Sequence, residues 1–204
     1  MSYSDVVSRI AALNALAQRG LAAAAPQRPA TAFQIGRVEF GDVLAGALAP
    51  AAEPTAASSP GAGGVRALAA AQGEVGVSED APGSNDGARI AEYRSAVAGA
   101  YPGAPWCGYF VSWAAAQAGV PLGELAQGLG SVEEITAWAA RTGRLLPAGS
   151  TPSPGDLILF GGRHVGIVES VNPDGSLTTI EGNESDAVKR IQRAAAEATG
   201  FVRL

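Results

Sequence analysis

The sequence predicts an α+β domain, and three observations carry that prediction. Apolar residues recur at helical spacing in several segments up to Trp138. From Asp156 onward the period falls to two, in short runs rich in Val, Ile and Thr. The strongest turn signal in the second half, Asn172-Pro173-Asp174-Gly175, joins two of those runs as a hairpin. Helices first and antiparallel strands after them is the order of an α+β fold.

Taken in order, residues 4–18 read as a small amphipathic helix, with Val6, Ile10, Leu13 and Ala17 on one face. A second short helix is predicted over 43–48. Residues 50–64 (PAAEPTAASSPGAGG) carry too little apolar surface to order themselves and read as a linker. This divides the chain into an extension over 1–49, partly disordered when alone, a linker over 50–64 and a compact domain over 65–204. Within the domain, helical patterns run over 65–75 and 88–98, separated by a polar loop, 78–87, with Pro82, Gly83 and Asn85 as turn formers. Another helix covers 106–118, entered after Pro105 and stopped by Gly119 and Pro121. Ser131 followed by Glu134 is a capping box for a helix through Trp138. Strands are predicted over 156–160, 164–171 and 177–183, with two more over 188–193 and 200–204.

Composition excludes several classes. The 204 residues are 47% hydrophobic and only 16% charged, with net charge −5. No Lys/Arg cluster is present to neutralise phosphates, so no nucleic-acid partner is expected. No basic amphipathic helix and no apolar run of spanning length points to a membrane. Residues 21–25 are apolar, but Asp5, Asn14, Gln18 and Arg19 interrupt the region and the start carries no positive charge. A Sec signal peptide is therefore not expected. One cysteine and one histidine allow neither an internal disulfide nor a Cys/His zinc site. No metal and no cofactor is expected.

The lone Cys107 is either buried filler or a reactive group. Pro105-Trp106-Cys107-Gly108 places it at the start of an apolar helix, where the helix end favours a negative charge and so a thiolate. The free N–H groups there can also hold an oxyanion. His164 opens the strand HVGIVESV after Gly161-Gly162-Arg163. The simplest hairpin register pairs Val171 with Ser176, which carries through to His164 opposite Asn183. Glu181 then lies diagonal to His164 on the same face. A bulge would break this register. A histidine base needs a partner that fixes its tautomer and supports the imidazolium; Glu181 suits that role and Asn183 can assist.

At these residues the sequence resembles the CHAP family, the cysteine, histidine-dependent amidohydrolases/peptidases of bacteria and phages. The segments that carry the resemblance are PWCGYFVSWAAAQAGVPL (105–122), SPGDLILFGGRHVGIVESV (153–171) and TTIEGNES (178–185), with the order Cys, His, Glu, Asn. PGSNDG (82–87) and GFVRL (200–204) also match its style, so the resemblance spans about residues 65–204. It implies a papain-like α+β fold and hydrolysis of an amide in peptidoglycan, either N-acetylmuramoyl–L-alanine or a stem or cross-bridge peptide bond. It further implies Cys107 as nucleophile, His164 as base and then acid, Glu181 orienting His164, and Asn183 as a further polar group nearby. The Cys107 N–H is a candidate oxyanion donor and Asn85 a candidate for the second. Trp106 is a candidate for a substrate groove, whereas Tyr109 and Trp113 read as core. Some family members bind calcium upstream of the cysteine; here Glu79, Asp80 and Asp86 lack a regular ligand spacing and read as a solvated turn.

A wall hydrolase without a Sec signal needs another route. The expectation is either release as a phage lysin from a host cytoplasm, or export to the cell envelope by a non-Sec apparatus. In the second case the extension addresses a secretion, flagellar or phage partner. Two rival readings stand beside this one: a cytoplasmic amidase acting on a small peptide conjugate, and a non-catalytic binding or assembly module.

Overall fold

In the computed structural model the described residues are 61–204, which lie in the compact unit Pro54–Leu204. The helices expected over 4–18 and 43–48, and residues 50–60 of the expected linker, fall outside them. Four helices come first: α1 (Ala62–Gln72), α2 (Ala88–Ser95), α3 (Cys107–Gln117) and α4 (Val132–Arg141). Strands follow: β1 (Leu145–Pro147), β2 (Leu157–Leu159), β3 (Val165–Val171), β4 (Leu177–Glu181), β5 (Lys189–Arg193) and β6 (Gly200–Val202), with a short 3-10 turn at Ala195–Glu197. They form one antiparallel sheet in the order β1-β6-β2-β3-β4-β5. The α+β expectation holds.

The centre of the domain is α3. Its residues from Cys107 to Ala115 are all buried, as expected for a helix that is apolar around its whole circumference. It packs against α1, α2 and β3. Trp106, Phe110 and Trp113 meet Tyr93 of α2 with ring centroids 5.1–5.8 Å apart, at the spacing favoured by aromatic pairs. A smaller apolar cluster of Ile158, Val168, Leu177, Ala198 and Phe201 forms a second core.

Three local departures from the sequence reading have physical causes. α1 starts at Ala62, inside the segment read as linker, because Gly63 lies against Val120: a Cβ at Gly63 would sit 2.6 Å from Val120 Cγ1. The glycines that looked like linker chemistry are close-packing positions. β1 was not anticipated, since three residues carry no period; it exists as the edge partner of β6. The β3–β4 hairpin turn is one residue longer than expected, pairing Val171 with Leu177, and a bulge between Val168 and Ser170 absorbs the difference. From Val168–Thr179 and Ile167–Ile180 onward, the register is the one the sequence predicts.

Candidate active site

Cys107 is the first residue of α3, and Trp106 is its N-cap. The first N–H groups of a helix have no intrahelical partner, so the Cys107 N–H is available beside its own thiol. The capping box at Ser131 and Glu134 forms as expected, with Glu134 Oε2 also accepting from Gly130 N–H, and holds the start of α4. A cavity of about 420 Å³ opens on Cys107 there, lined also by Tyr101, Tyr109, Gly130, Glu133 and Arg163. Cys107 is 6% exposed, so the thiol meets this cavity rather than open solvent.

His164 sits just before β3, where its carbonyl accepts from Phe160 N–H at 3.0 Å. Its Nε2 lies 2.8 Å from Glu181 Oε2 at the end of β4. With Nε2 engaged by Glu181, Nδ1 is the other ring nitrogen, and Cys107 is close enough to act on the ring's protonation. Phe160 stacks on the imidazole, centroids 5.8 Å apart and planes 30° apart. Glu181 is fully buried. Its Oε1 accepts from Thr179 Oγ1 at 2.6 Å and Arg193 Nε at 2.9 Å, and its Oε2 accepts from Arg193 Nη2 at 2.6 Å. Gly166 makes room for this carboxylate, since a Cβ there would lie 2.6 Å from Glu181 Cγ.

The electrostatics follow from these contacts. Burial opposes charge on His164 and is the largest single influence on it. The hydrogen bonds and charges of Cys107 and Glu181 together outweigh it and raise the imidazole from 6.5 to about 9. Burial likewise favours the neutral form of Glu181 most strongly. It is overcome by the hydrogen bonds from Arg193, His164 and Thr179, which hold the carboxyl at about 2. At neutral pH the site therefore contains an imidazolium clamped by an ionised carboxylate.

Cys107, His164 and Glu181 thus come together from a helix start and two neighbouring strands. Asn183 does not take the expected place opposite His164 in the ladder. β4 ends at Glu181, Asn183 has φ 59°, and its Nδ2 donates to Asn85 Oδ1 at 3.1 Å. Asn85 is held in turn, its N–H donating to Glu79 Oε2 at 2.8 Å. Trp106 is not a groove residue: it is wholly buried, and its indole N–H donates to Glu79 Oε1 at 3.0 Å. Glu79 is accordingly no solvated turn residue but a buried anchor tying the 78–87 loop to the residue before Cys107. Asp86 accepts from Gly87 N–H and Arg94.

The sequence reading missed Thr179, Phe160, Gly166 and Arg193. Thr179 was within reach, because it is two residues from Glu181 on one strand and so shares its face. Among the described residues, His164, Glu181 and Glu184 are the group of three side chains close enough to share a cation, their ligand atoms within 4.8 Å of one another. Arg193 bonds both carboxylates and already neutralises that charge.

No curated protein and no solved structure matches the chain. Residues 99–183, which include Cys107, His164 and Glu181, match the family model of the CHAP domain.

Proposed function

We propose that the protein is a cysteine amidohydrolase that cuts an amide bond of peptidoglycan, with Cys107, His164 and Glu181 as its catalytic group. The observation that carries this is the convergence of three side chains: the only thiol at a helix start, the only imidazole beside it, and a buried carboxylate on the far ring nitrogen at 2.8 Å. The CHAP match over 99–183 supports the substrate class.

The chemistry is acyl transfer. The Cys107 sulfur attacks the carbonyl carbon of the amide, and the C–O electron pair moves onto oxygen. The Cys107 N–H at the start of α3 faces that oxyanion, with the helix N-terminus favouring its charge. As the carbonyl re-forms, the C–N bond breaks and the imidazolium of His164 gives its Nδ1 proton to the departing amine. The neutral imidazole then takes a proton from water, whose oxygen attacks the thioester; the C–S bond breaks, the carboxylic acid leaves, and the sulfur nucleophile and the His164 imidazolium are restored. Glu181 stays ionised throughout and holds Nε2–H, so that Nδ1 faces the sulfur. The cavity beside Cys107 accepts one side of the scissile bond. A second cavity, of about 510 Å³ and lined by His164, Arg163 and Glu184, accepts the other.

Digestion of purified peptidoglycan by the full chain and by Cys107→Ala, followed by mass spectrometry, tests this reading. New amino ends made by wild type and lost in the variant are expected, and the fragment masses name the bond. Failure of folded wild type to cut walls of several chemotypes would overturn it in favour of a small-conjugate amidase or a binding module.

A further inference from the structure

We propose that Arg193 is a positioning residue of the active site, holding Glu181 and Phe160 in the places from which they orient His164. The inference rests on the reading of Cys107, His164 and Glu181 as the catalytic group. Arg193 lies at the end of β5, outside the 99–183 segment that matches the CHAP domain.

The geometry points to a clamp. The guanidinium donates Nε to one oxygen of Glu181 and Nη2 to the other, at 2.9 and 2.6 Å, the two-pronged arrangement that fixes both position and plane of a carboxylate. Its Nη2 also donates to Glu184 at 2.9 Å, and its Nη1 lies 3.6 Å from Glu197. The same group sits over the Phe160 ring at 4.9 Å, and Phe160 stacks on His164. One side chain therefore braces the imidazole twice: through the carboxylate on Nε2 and through the ring beneath it. A fully buried carboxylate facing only His164 and Thr179 would be drawn toward its neutral form; Arg193 is the first of the hydrogen-bond partners that keep it charged. Lysine cannot replace this function fully, because a point charge lacks the fork and does not stack as guanidinium does.

The charged and titratable groups facing this cluster are Cys107 of α3, Arg163 and His164 before β3, Glu181 of β4, Glu184 in the following loop, Arg193 of β5 and Glu197. If Arg193 is lost, Glu181 takes up a proton at higher pH, and with it the support of the imidazolium beside Cys107 disappears.

The test is the rate of Cys107 alkylation by iodoacetamide across the acid range, measured on the full chain; the only thiol reports without assignment. Arg193→Gln is expected to move the acid limb up by roughly one pH unit or more. Arg193→Lys should fall between it and wild type. Arg190→Gln is the control on the same strand, because Arg190 pairs with Glu169 away from the site, and its limb should superimpose on wild type. A wild-type limb in Arg193→Gln, or an equal shift in Arg190→Gln, would overturn the proposal. If Arg193→Gln gives no cooperative melt, the Arg193→Lys limb decides: an upward shift supports the clamp and coincidence with wild type overturns it. No substrate enters this assay, so a shifted limb in a protein that cuts no wall would sink the peptidoglycan reading and leave this one standing.

Discussion

Replacing Gly166 by alanine adds one methyl group beside the buried Glu181 carboxylate. The new Cβ would lie 2.6 Å from Glu181 Cγ and 3.2 Å from the Ile180 carbonyl oxygen. Ordinary carbon contacts need about 3.5–4.0 Å, so the Glu181 arm must retreat by about 1 Å. Its retreat is resisted by Thr179 and Arg193, which hold both oxygens. A displacement of that size stretches the 2.8 Å contact to His164 beyond hydrogen-bonding range. The imidazole then loses one of its two supports and should titrate below about 9, toward 6.5. A misplacement of about 1 Å in a catalytic geometry can cost on the order of 100-fold in rate, and overpacking a buried site about 1–3 kcal/mol. The assay is twofold: cleavage rate, and the ring resonances of His164 followed against pH, which need no assignment because the chain holds one histidine. Gly166→Ala with wild-type titration and full activity would refute the argument that Gly166 is small to seat Glu181.

Glu181→Gln keeps the shape and removes the charge, so His164 should titrate below its wild-type value. The variant should lose about 3 kcal/mol in denaturant melts, because the Arg193 guanidinium is left without its buried anion. Stability should depend on pH in two windows. His164 is raised from 6.5 to about 9, so its contribution, at most about 3 kcal/mol, is complete below 6.5 and lost as pH rises through 9. Glu181 is lowered from 4.5 to about 2, so its contribution is complete above 4.5 and lost as pH falls through 2. As far as these two groups govern stability, melting temperature should peak between those windows. A melting temperature still climbing above pH 9 would contradict this. Trp106→Phe removes the indole donor from buried Glu79 and should cost about 1–3 kcal/mol in denaturant melts. Unchanged stability would show that Glu79 does not anchor the loop.

The elements near the site were legible where local rules decide them. The start of α3 after Pro105 follows from local chain chemistry, as does the capping box at Ser131. The Cys107, His164 and Glu181 side chains were reached by periodicity and hairpin register. That register survived only because the bulge between Val168 and Ser170 cancels the longer turn, a compensation invisible in sequence. Asn183 failed for the complementary reason. The strand ends two residues earlier, in a stretch where Asn183, Ser185 and Asp186 all adopt positive φ. That irregular connection also hid Arg193, since no recognisable turn fixes how β5 pairs with β4 and therefore which face Arg193 shares. Trp106 and Glu79 were misread because burial of a polar residue depends on a distant partner, each supplying the other's hydrogen bond across 27 positions.

The central claim is that Cys107, His164 and Glu181 act as one charged unit. The measurement that tests it most directly is the NMR titration of His164 in the wild-type chain and in Cys107→Ala. The account predicts an imidazole that stays protonated well above neutrality, to about 9, in wild type, and a clearly lower value once the thiol is removed. A histidine that titrates near 6.5 in both proteins would contradict it, because the thiol and the carboxylate would then exert no hold on the ring.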